Sequence, residues 1–185
     1  LCCEKAYWTF IMAKAKSSFS EVQIARCIKE GRGQGHGKDY IPWLTVQEVS
    51  SAGRSHRIYS HKMGLVHHLL SDLELAVFLS LEWESGVLGI REHFPLLPSD
   101  TKQIAIDSGI KHPAIRGADQ VMSTDFLVDC KDGPFEQFAI QVKPAAALQD
   151  ERTLEKLELE RRYWQQKQIP WFIFTDKEIN PVVKE

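Results

Sequence analysis

The sequence predicts an α/β fold in which a mixed β-sheet is flanked by helices. Two alternating runs, Val121–Cys130 and Phe138–Lys143, enclose an Asp-Gly-Pro turn at 132–134, and this pattern is typical of a β-hairpin. An amphipathic helix is predicted at Leu148–Gln168. The run Ile169–Asp176 after it is apolar on both faces, which favours a buried parallel strand added after a crossover helix.

Length and composition indicate one globular domain with a real core. The chain has 185 residues, of which 43% are hydrophobic and 26% are charged. No apolar run reaches the length of a membrane span, and the first residues do not have the pattern of a secretory signal. Four cysteines, at positions 2, 3, 27 and 130, lack zinc-type spacing. We therefore predict free thiols and a cytoplasmic protein.

Charge is distributed unevenly along the chain. Residues 12–68 contain nine Lys or Arg against four Asp or Glu, whereas residues 69–144 contain six against twelve. A basic segment suits contact with phosphate, and an acidic one suits cation binding. Candidate DNA-contacting side chains in the basic segment are Arg32, Lys38, Arg54 and Arg57. The alternative is that both imbalances belong to solvated faces.

The basic segment contains three predicted elements. Ser18–Gly31 has the apolar spacing of an amphipathic helix, with Val22 and Ile28 on its apolar stripe. In Gly31–Lys38 glycine occupies every second position, but no strand precedes the run and no Ser or Thr follows Lys38, so it is not a nucleotide-binding P-loop. We predict a flexible basic loop that touches the DNA backbone. A short hairpin is predicted from Ile58 to His68.

The helix predicted at Ser71–Glu84 carries a candidate site residue. Ser71 and Glu74 have capping-box spacing, so Glu74 could simply satisfy the start of its own helix. Glu74 also lies one turn before Phe78 on an apolar stripe, where a carboxylate near the helix start would face a neighbouring sheet.

The remaining elements link this helix to the hairpin and follow it. A strand is predicted at Val87–Leu97, and then a mixed connection over Pro98–Gly117 with a helical turn at 102–108. The dense Lys, Glu and Arg residues of Leu148–Gln168 are predicted to form a solvated face.

The hairpin brings chemically useful side chains together. A loop of odd length would set Asp125 opposite Gln141, with Lys143 two residues further along the same face. Carboxylate and amide oxygens are hard ligands that hold Mg²⁺, and a nearby lysine can orient an attacking water and stabilise charge. An ordinary surface hairpin would satisfy the same pattern, and the upstream Glu74 is what favours a metal site over a surface hairpin.

The histidines at 56, 61, 67 and 68 fit no standard zinc set, so we predict structural or backbone-contacting roles for His67 and His68.

Five segments together resemble the TnsA family, the endonuclease subunits of two-subunit cut-and-paste DNA transposases. They are Phe19–Gln23, Gly31–Leu44, Leu70–Glu74, Met122–Val128 and Gln141–Lys143. The resemblance implies a restriction-endonuclease-like core of the PD-(D/E)xK type. It implies Glu74, Asp125 and Lys143 as catalytic residues and Glu74, Asp125 and Gln141 as ligands of two Mg²⁺ ions, for which Mn²⁺ substitutes. Asp125 would be shared between the ions and Lys143 would position the water.

The resemblance also implies partners and domain limits. The expected activity is cutting of the 5′ strands at the transposon ends in double-stranded DNA, beside a strand-joining transposase subunit and a regulatory ATPase. Residues 12–185 would form the endonuclease domain, with a basic region at 12–68 and a catalytic core at 69–185. Residues 1–11 do not match the family and are expected to be an extension, and the family's smaller C-terminal domain is expected to be absent. Two alternatives are a freestanding nuclease of resolvase or restriction type and a non-cleaving architectural subunit.

Overall fold

The computed structural model describes residues 19–49, 53–131 and 133–179. Residues 1–11, with their predicted extension, and Asp132 of the predicted turn lie outside this part. The helices are α1 (Glu21–Lys29), α2 (Asp72–Trp83), α3 (Pro98–Ser108) and α4 (Glu151–Gln166). The strands are β1 (His56–Ser60), β2 (Leu65–Leu69), β3 (Val87–Pro95), β4 (Ala114–Ile115), β5 (Ala118–Asp119), β6 (Ser123–Cys130), β7 (Gln137–Val142) and β8 (Trp171–Phe174).

A four-stranded mixed sheet with the order β3-β6-β7-β8 forms the centre of the molecule. The first three strands pair antiparallel, and β8 joins β7 in parallel after the crossover through α4. This confirms the predicted α/β class, the hairpin and the parallel final strand. The prediction that the final strand is buried on both faces is wrong, because β8 lies at the sheet edge and Phe172 remains 42% exposed.

Helices cover both faces of this sheet. On one face α2 packs against an apolar cluster that includes Phe78, Phe126, Val128, Ile140 and Val142. On the other face α3 and α4 pack against a second cluster that includes Ile104, Leu127, Ala139, Leu159 and Trp164. The alternation of side chains along β6 and β7 supplies both clusters from the same two strands. None of the helices in the described ranges is long and apolar enough to cross a membrane.

Local start signals fix the helices around the sheet. Ser71 accepts a hydrogen bond from the Glu74 amide at the start of α2, and Asp150 accepts one from the Thr153 amide at the start of α4. The connection after β3 is mixed as predicted, but its helical part is longer than the turn expected at 102–108: α3 has 11 residues and begins at Pro98. Proline is favoured in the first helical turn because an amide hydrogen there would have no partner within the helix, so its absence costs nothing.

Helix α1 is present, but the prediction about its apolar stripe is wrong. Ser20 and Gln23 form a capping box at its start. Cys27 is its buried residue, whereas Val22 is 79% exposed and Ile28 is also exposed. Periodicity located the helix correctly but did not identify a face that packs on the rest of the described chain.

The glycine-rich segment is a hydrogen-bonded turn rather than the flexible loop that the sequence suggested. Gly31, Gly33, Gly35 and Gly37 all have positive φ angles, between +54° and +87°. The Gly33 amide donates to the Ile41 carbonyl at 2.6 Å, and the Ile41 amide donates to the Gln34 carbonyl at 3.1 Å. The backbone is left-handed at every second position of this segment. Glycine is therefore required at each of those positions, because it adopts a positive φ angle without steric cost.

Gly33 and Gly37 offer a direct test of this close packing. A β-carbon at Gly33 would lie 2.1 Å from Pro95 Cγ, whereas one at Gly37 would meet nothing within 4 Å. Both substitutions to alanine strain a left-handed backbone by about 1–2 kcal/mol, and overpacking adds about 1–3 kcal/mol at Gly33 alone. We expect Gly33→Ala to lower the free energy of unfolding in urea clearly more than Gly37→Ala. Equal losses would contradict the packing described here.

Candidate active site

The site is built where β6 and β7 stop pairing through their backbones. Their register ends at Phe126 opposite Ile140, which makes Asp125 and Gln141 the next pair. There the Asp125 amide donates to Gln141 Oε1 at 3.2 Å, and the Val142 amide donates to Asp125 Oδ2 at 2.8 Å. The predicted pairing of Asp125 with Gln141 is thus confirmed. At this pair, hydrogen bonds to the two side chains replace the hydrogen bonds between the backbones. The same hydrogen bonds hold both side chains in position.

Lys143 lies directly beside this pair. Its ammonium donates to Asp125 Oδ2 at 3.3 Å and to the Val142 carbonyl at 2.8 Å. Burial lowers the pKa of Lys143, but attraction to Asp125, Glu160 and Glu74 outweighs burial and leaves the pKa above its ordinary value. Lys143 is therefore a charged hydrogen-bond donor at neutral pH.

Glu74 approaches the same place from the start of α2 and is 8% exposed. Its Oε2 atom accepts a hydrogen bond from the Leu70 amide at 2.8 Å, and its Oε1 atom accepts one from the Ser71 hydroxyl at 3.2 Å. Burial, and then the charge of Asp125, raise the pKa of Glu74. Glu74 thus serves the helix start and also belongs to one electrostatic cluster with Asp125.

One histidine, His93 of β3, lies next to Glu74, and a second, His67 of β2, is buried in a pair with Glu92. His93, which has a φ angle of 47°, places Nε2 2.8 Å from the His68 carbonyl oxygen and 3.8 Å from Glu74 Oε2. His67 and Glu92 are fully buried and lie 2.6 Å apart, Nδ1 to Oε2. The burial of His67 agrees with the structural role predicted for it, and His68 Nδ1 accepts a hydrogen bond from the Val46 amide at 3.4 Å. His93 carries no motif in the sequence and was not predicted.

Glu160 of α4 is the second residue that the sequence analysis missed. Its Oε1 atom accepts hydrogen bonds from the Thr124 hydroxyl at 2.7 Å and from Trp171 Nε1 at 2.9 Å. Glu160 is 3% exposed, so the predicted solvated charge face is wrong at this position. The available signal was its place three residues after Leu157 and four before Trp164, on the inward stripe of α4. Burial raises the pKa of Glu160 to about 8.

The donor set at this site fits a hard divalent cation. In the described part of the chain, no three His, Cys, Asp or Glu side chains are grouped as a metal site by themselves. Mg²⁺ is commonly held by one or two carboxylates together with waters and substrate phosphates, so a complete protein cage is not needed. Glu74 and Asp125 supply two carboxylates, and the charge of Asp125 helps to raise the pKa of Glu74. Gln141 adds a neutral oxygen, which accepts from the Asp125 amide.

Comparison with known proteins agrees with this geometry. Residues 84–176 match the profile of the family described as TnsA-like endonuclease N terminal. The chain belongs to the TnsA-like endonuclease family. Its mixed sheet flanked by helices is accordingly of the restriction-endonuclease-like type, as predicted. A relative, the transposon Tn7 transposition protein TnsA of Escherichia coli, is 93% identical over 174 residues. Those residues are 94% of this chain and 64% of the relative, so the chain spans less than two thirds of that protein's length.

The residues predicted to contact DNA occupy different environments in this TnsA-like domain. Arg32 is bound to Glu48 through both carboxylate oxygens, at 2.6 and 2.7 Å, and its side chain is only 11% exposed. This placement favours a structural role for Arg32 over the predicted DNA contact. Arg54 is exposed and lies 3.2 Å from Asp72, and Lys38 and Arg57 are also exposed. These three residues therefore remain candidates.

The raised pKa of Glu160 makes stability depend on pH in a defined direction. Between the ordinary value of 4.5 and about 8, the folded protein keeps a proton that the unfolded chain has released. Stability contributed by this group is therefore lost as pH rises through that interval. The Glu160→Gln variant keeps an acceptor for Thr124 and Trp171 but has no proton to release. We expect its free energy of unfolding to fall less between pH 5 and pH 8.5 than that of the unsubstituted protein. Urea titrations in EDTA measure this difference, and parallel pH profiles would refute it.

Proposed function

We propose that the chain is a Mg²⁺-dependent DNA endonuclease that cuts the 5′ strands at transposon ends as one subunit of a transposase. The observation that carries this proposal is the convergence of Asp125, Glu74 and Lys143 where β6 and β7 separate. Membership of the TnsA-like family and the near-identical relative named as a transposition protein support it.

The oxygen ligands have distinct tasks in this proposal. Asp125, held by the Val142 amide, and Glu74, held by the Leu70 amide, would supply the carboxylate oxygens that hold the metal ions. Gln141 contributes a neutral oxygen, which keeps the negative charge of the site low. Bound Mg²⁺, or Mn²⁺ in its place, would neutralise phosphate charge and acidify a water molecule.

Lys143 acts in this proposal by donating hydrogen bonds. Because its pKa is raised by the surrounding carboxylates, the ammonium stays charged when the phosphodiester approaches. It can orient the attacking water through one hydrogen and stabilise the charge that develops on the phosphoryl oxygens. Asp125 Oδ2 and the Val142 carbonyl hold the ammonium in this direction.

The partners follow from the same proposal. The substrate is double-stranded DNA at the transposon ends, and a separate transposase subunit cuts and joins the other strand. A regulatory ATPase engages the assembled complex, and the reaction takes place in the cytoplasm. A freestanding nuclease and a non-cleaving architectural subunit are the competing functions, and each gives a different result in the experiment below.

The proposal is tested by strand-specific cleavage of an end-labelled transposon-end duplex in Mg²⁺, with and without the partner transposase. We expect 5′-strand cuts only when the partner is present. Asp125→Asn should reduce the rate at least about 10³-fold, because several kcal/mol of transition-state stabilisation are lost, and calorimetry should show weaker Mg²⁺ binding. Asp119→Asn, at an exposed aspartate of β5 paired with Lys102, is the matched control and should change neither quantity.

The outcomes separate the three functions. Cutting without the partner would favour a freestanding nuclease. Stable complex formation without cutting would favour an architectural subunit. Unchanged cleavage by Asp125→Asn would refute the assignment of the site itself.

A further inference from the structure

A cavity of about 380 Å³ opens beside the active site on the α4 side of the sheet. One wall is formed by residues 113–115 and 120–123, which include β4 and the start of β6. The other wall is formed by Ala147 and the first turns of α4. Gln141 and Lys143 line the cavity as well, so it shares a boundary with the site described above.

The lining combines one apolar wall with cations. Apolar side chains predominate along the wall of residues 113–115 and 120–123, whereas the α4 wall is mainly polar and charged, and no aromatic side chain is among the lining residues. Three cations, Lys143, Arg152 and Lys156, also line it. Arg152 pairs with Glu155 and donates to the Lys111 carbonyl at 2.7 Å. Glu160, the carboxylic acid in the lining, is kept largely neutral near pH 7 by burial, so positive charge predominates in the cavity. This combination suits a ligand with an apolar face and a phosphate.

The size of the cavity limits what can enter it. A duplex, whose major groove alone is about 12 Å wide, cannot fit into such a space. Proteins hold small organic molecules in cavities of roughly 300–1,000 Å³, and this cavity is at the lower end of that range. A single nucleotide belongs to this size class.

We propose that the cavity receives one nucleotide of the cut strand, unstacked from the duplex and next to the scissile phosphate. Its base would lie against the apolar wall of residues 113–115 and 120–123, and its phosphate would face Arg152 and Lys156 on the α4 wall. Burial of the base offsets the cost of unstacking, as in enzymes that extrude a nucleotide into a pocket. This inference rests on the proposed nuclease function, because it takes the phosphate beside Lys143 as the scissile one.

Fluorescence of 2-aminopurine tests the inference. The base analogue is placed at each position within two nucleotides of the cut in a transposon-end duplex. The duplex is bound by the full chain with the partner transposase, in Ca²⁺ to prevent cleavage. Because no aromatic residue lines the cavity to quench an inserted base, we expect a several-fold rise in emission at one position adjoining the cut.

Two matched pairs of variants test whether the rise in emission and the phosphate contact both depend on this cavity. Ala147→Leu narrows the cavity and should remove the rise, whereas Ala146→Leu, at the exposed neighbour in the same turn, should retain it. Arg152→Ala should reduce the slope of log affinity against log salt by about one, because one phosphate contact is lost. Arg161→Ala, which also removes an arginine paired with a glutamate three residues away, should leave the slope unchanged.

The results distinguish a failure of the proposed nucleotide cavity from a failure of the proposed nuclease function. If the complex cuts in Mg²⁺ while emission at every position stays at the duplex level, the nucleotide cavity is refuted and the nuclease function stands. If emission rises equally in the Ala147→Leu variant, the base is unstacked elsewhere and the inference also fails. If the complex neither binds nor cuts the DNA, both proposals fail.

Discussion

The hydrogen bond from the Val142 amide to the Asp125 carboxylate is the contact on which the rest of the site depends. Up to Phe126 and Ile140 the strands β6 and β7 form an ordinary antiparallel ladder. At Asp125 and Gln141 the ladder continues through side chains, because each residue accepts an amide hydrogen from the opposite strand. The two strands therefore separate without leaving these amides unpaired, and the functional groups are held rigidly in the gap.

The two helical layers contribute different chemistry to this gap. From one face, α2 brings Glu74, whose carboxylate is fixed by the amide and hydroxyl groups at its own helix start. From the other face, α4 brings Glu160, which Thr124 and Trp171 hold by hydrogen bonds. Glu74 interacts electrostatically with Asp125, whereas Glu160 is kept largely neutral by burial. The different surroundings of similar residues assign them different tasks.

Lys143 connects the two layers electrostatically. Attraction to the Asp125 carboxylate, the largest favourable contribution, keeps it charged despite burial. Its own charge in turn opposes the rise in the pKa of Glu74 and of Glu160. Removal of one member therefore changes the protonation of the others, and effects of single substitutions in this cluster should not add.

Much of the fold and the centre of the site could be predicted from the sequence, because both depend on local periodicity. Alternation along two strands and an odd loop place Asp125 opposite Gln141, and a capping signal places Glu74 at a helix start. Glu160 could not be recognised in the same way, because its charged neighbours in α4 disguise an inward position. The exposure of Val22 depends on which surfaces pack on α1, which periodicity does not determine. The turn around Gly33 depends on contact with Pro95, which is distant in the sequence.

We propose that Glu74 and Asp125 form one metal site with Gln141 beside them. A crystal of this chain soaked in Mn²⁺, with data collected at the manganese absorption edge, would show whether they do. We predict an anomalous peak within about 2.0–2.6 Å of carboxylate oxygens of both Glu74 and Asp125, the range for divalent cations bound by oxygen. A Mn²⁺ ion bound only elsewhere, with Lys143 still in contact with a metal-free Asp125, would contradict the account.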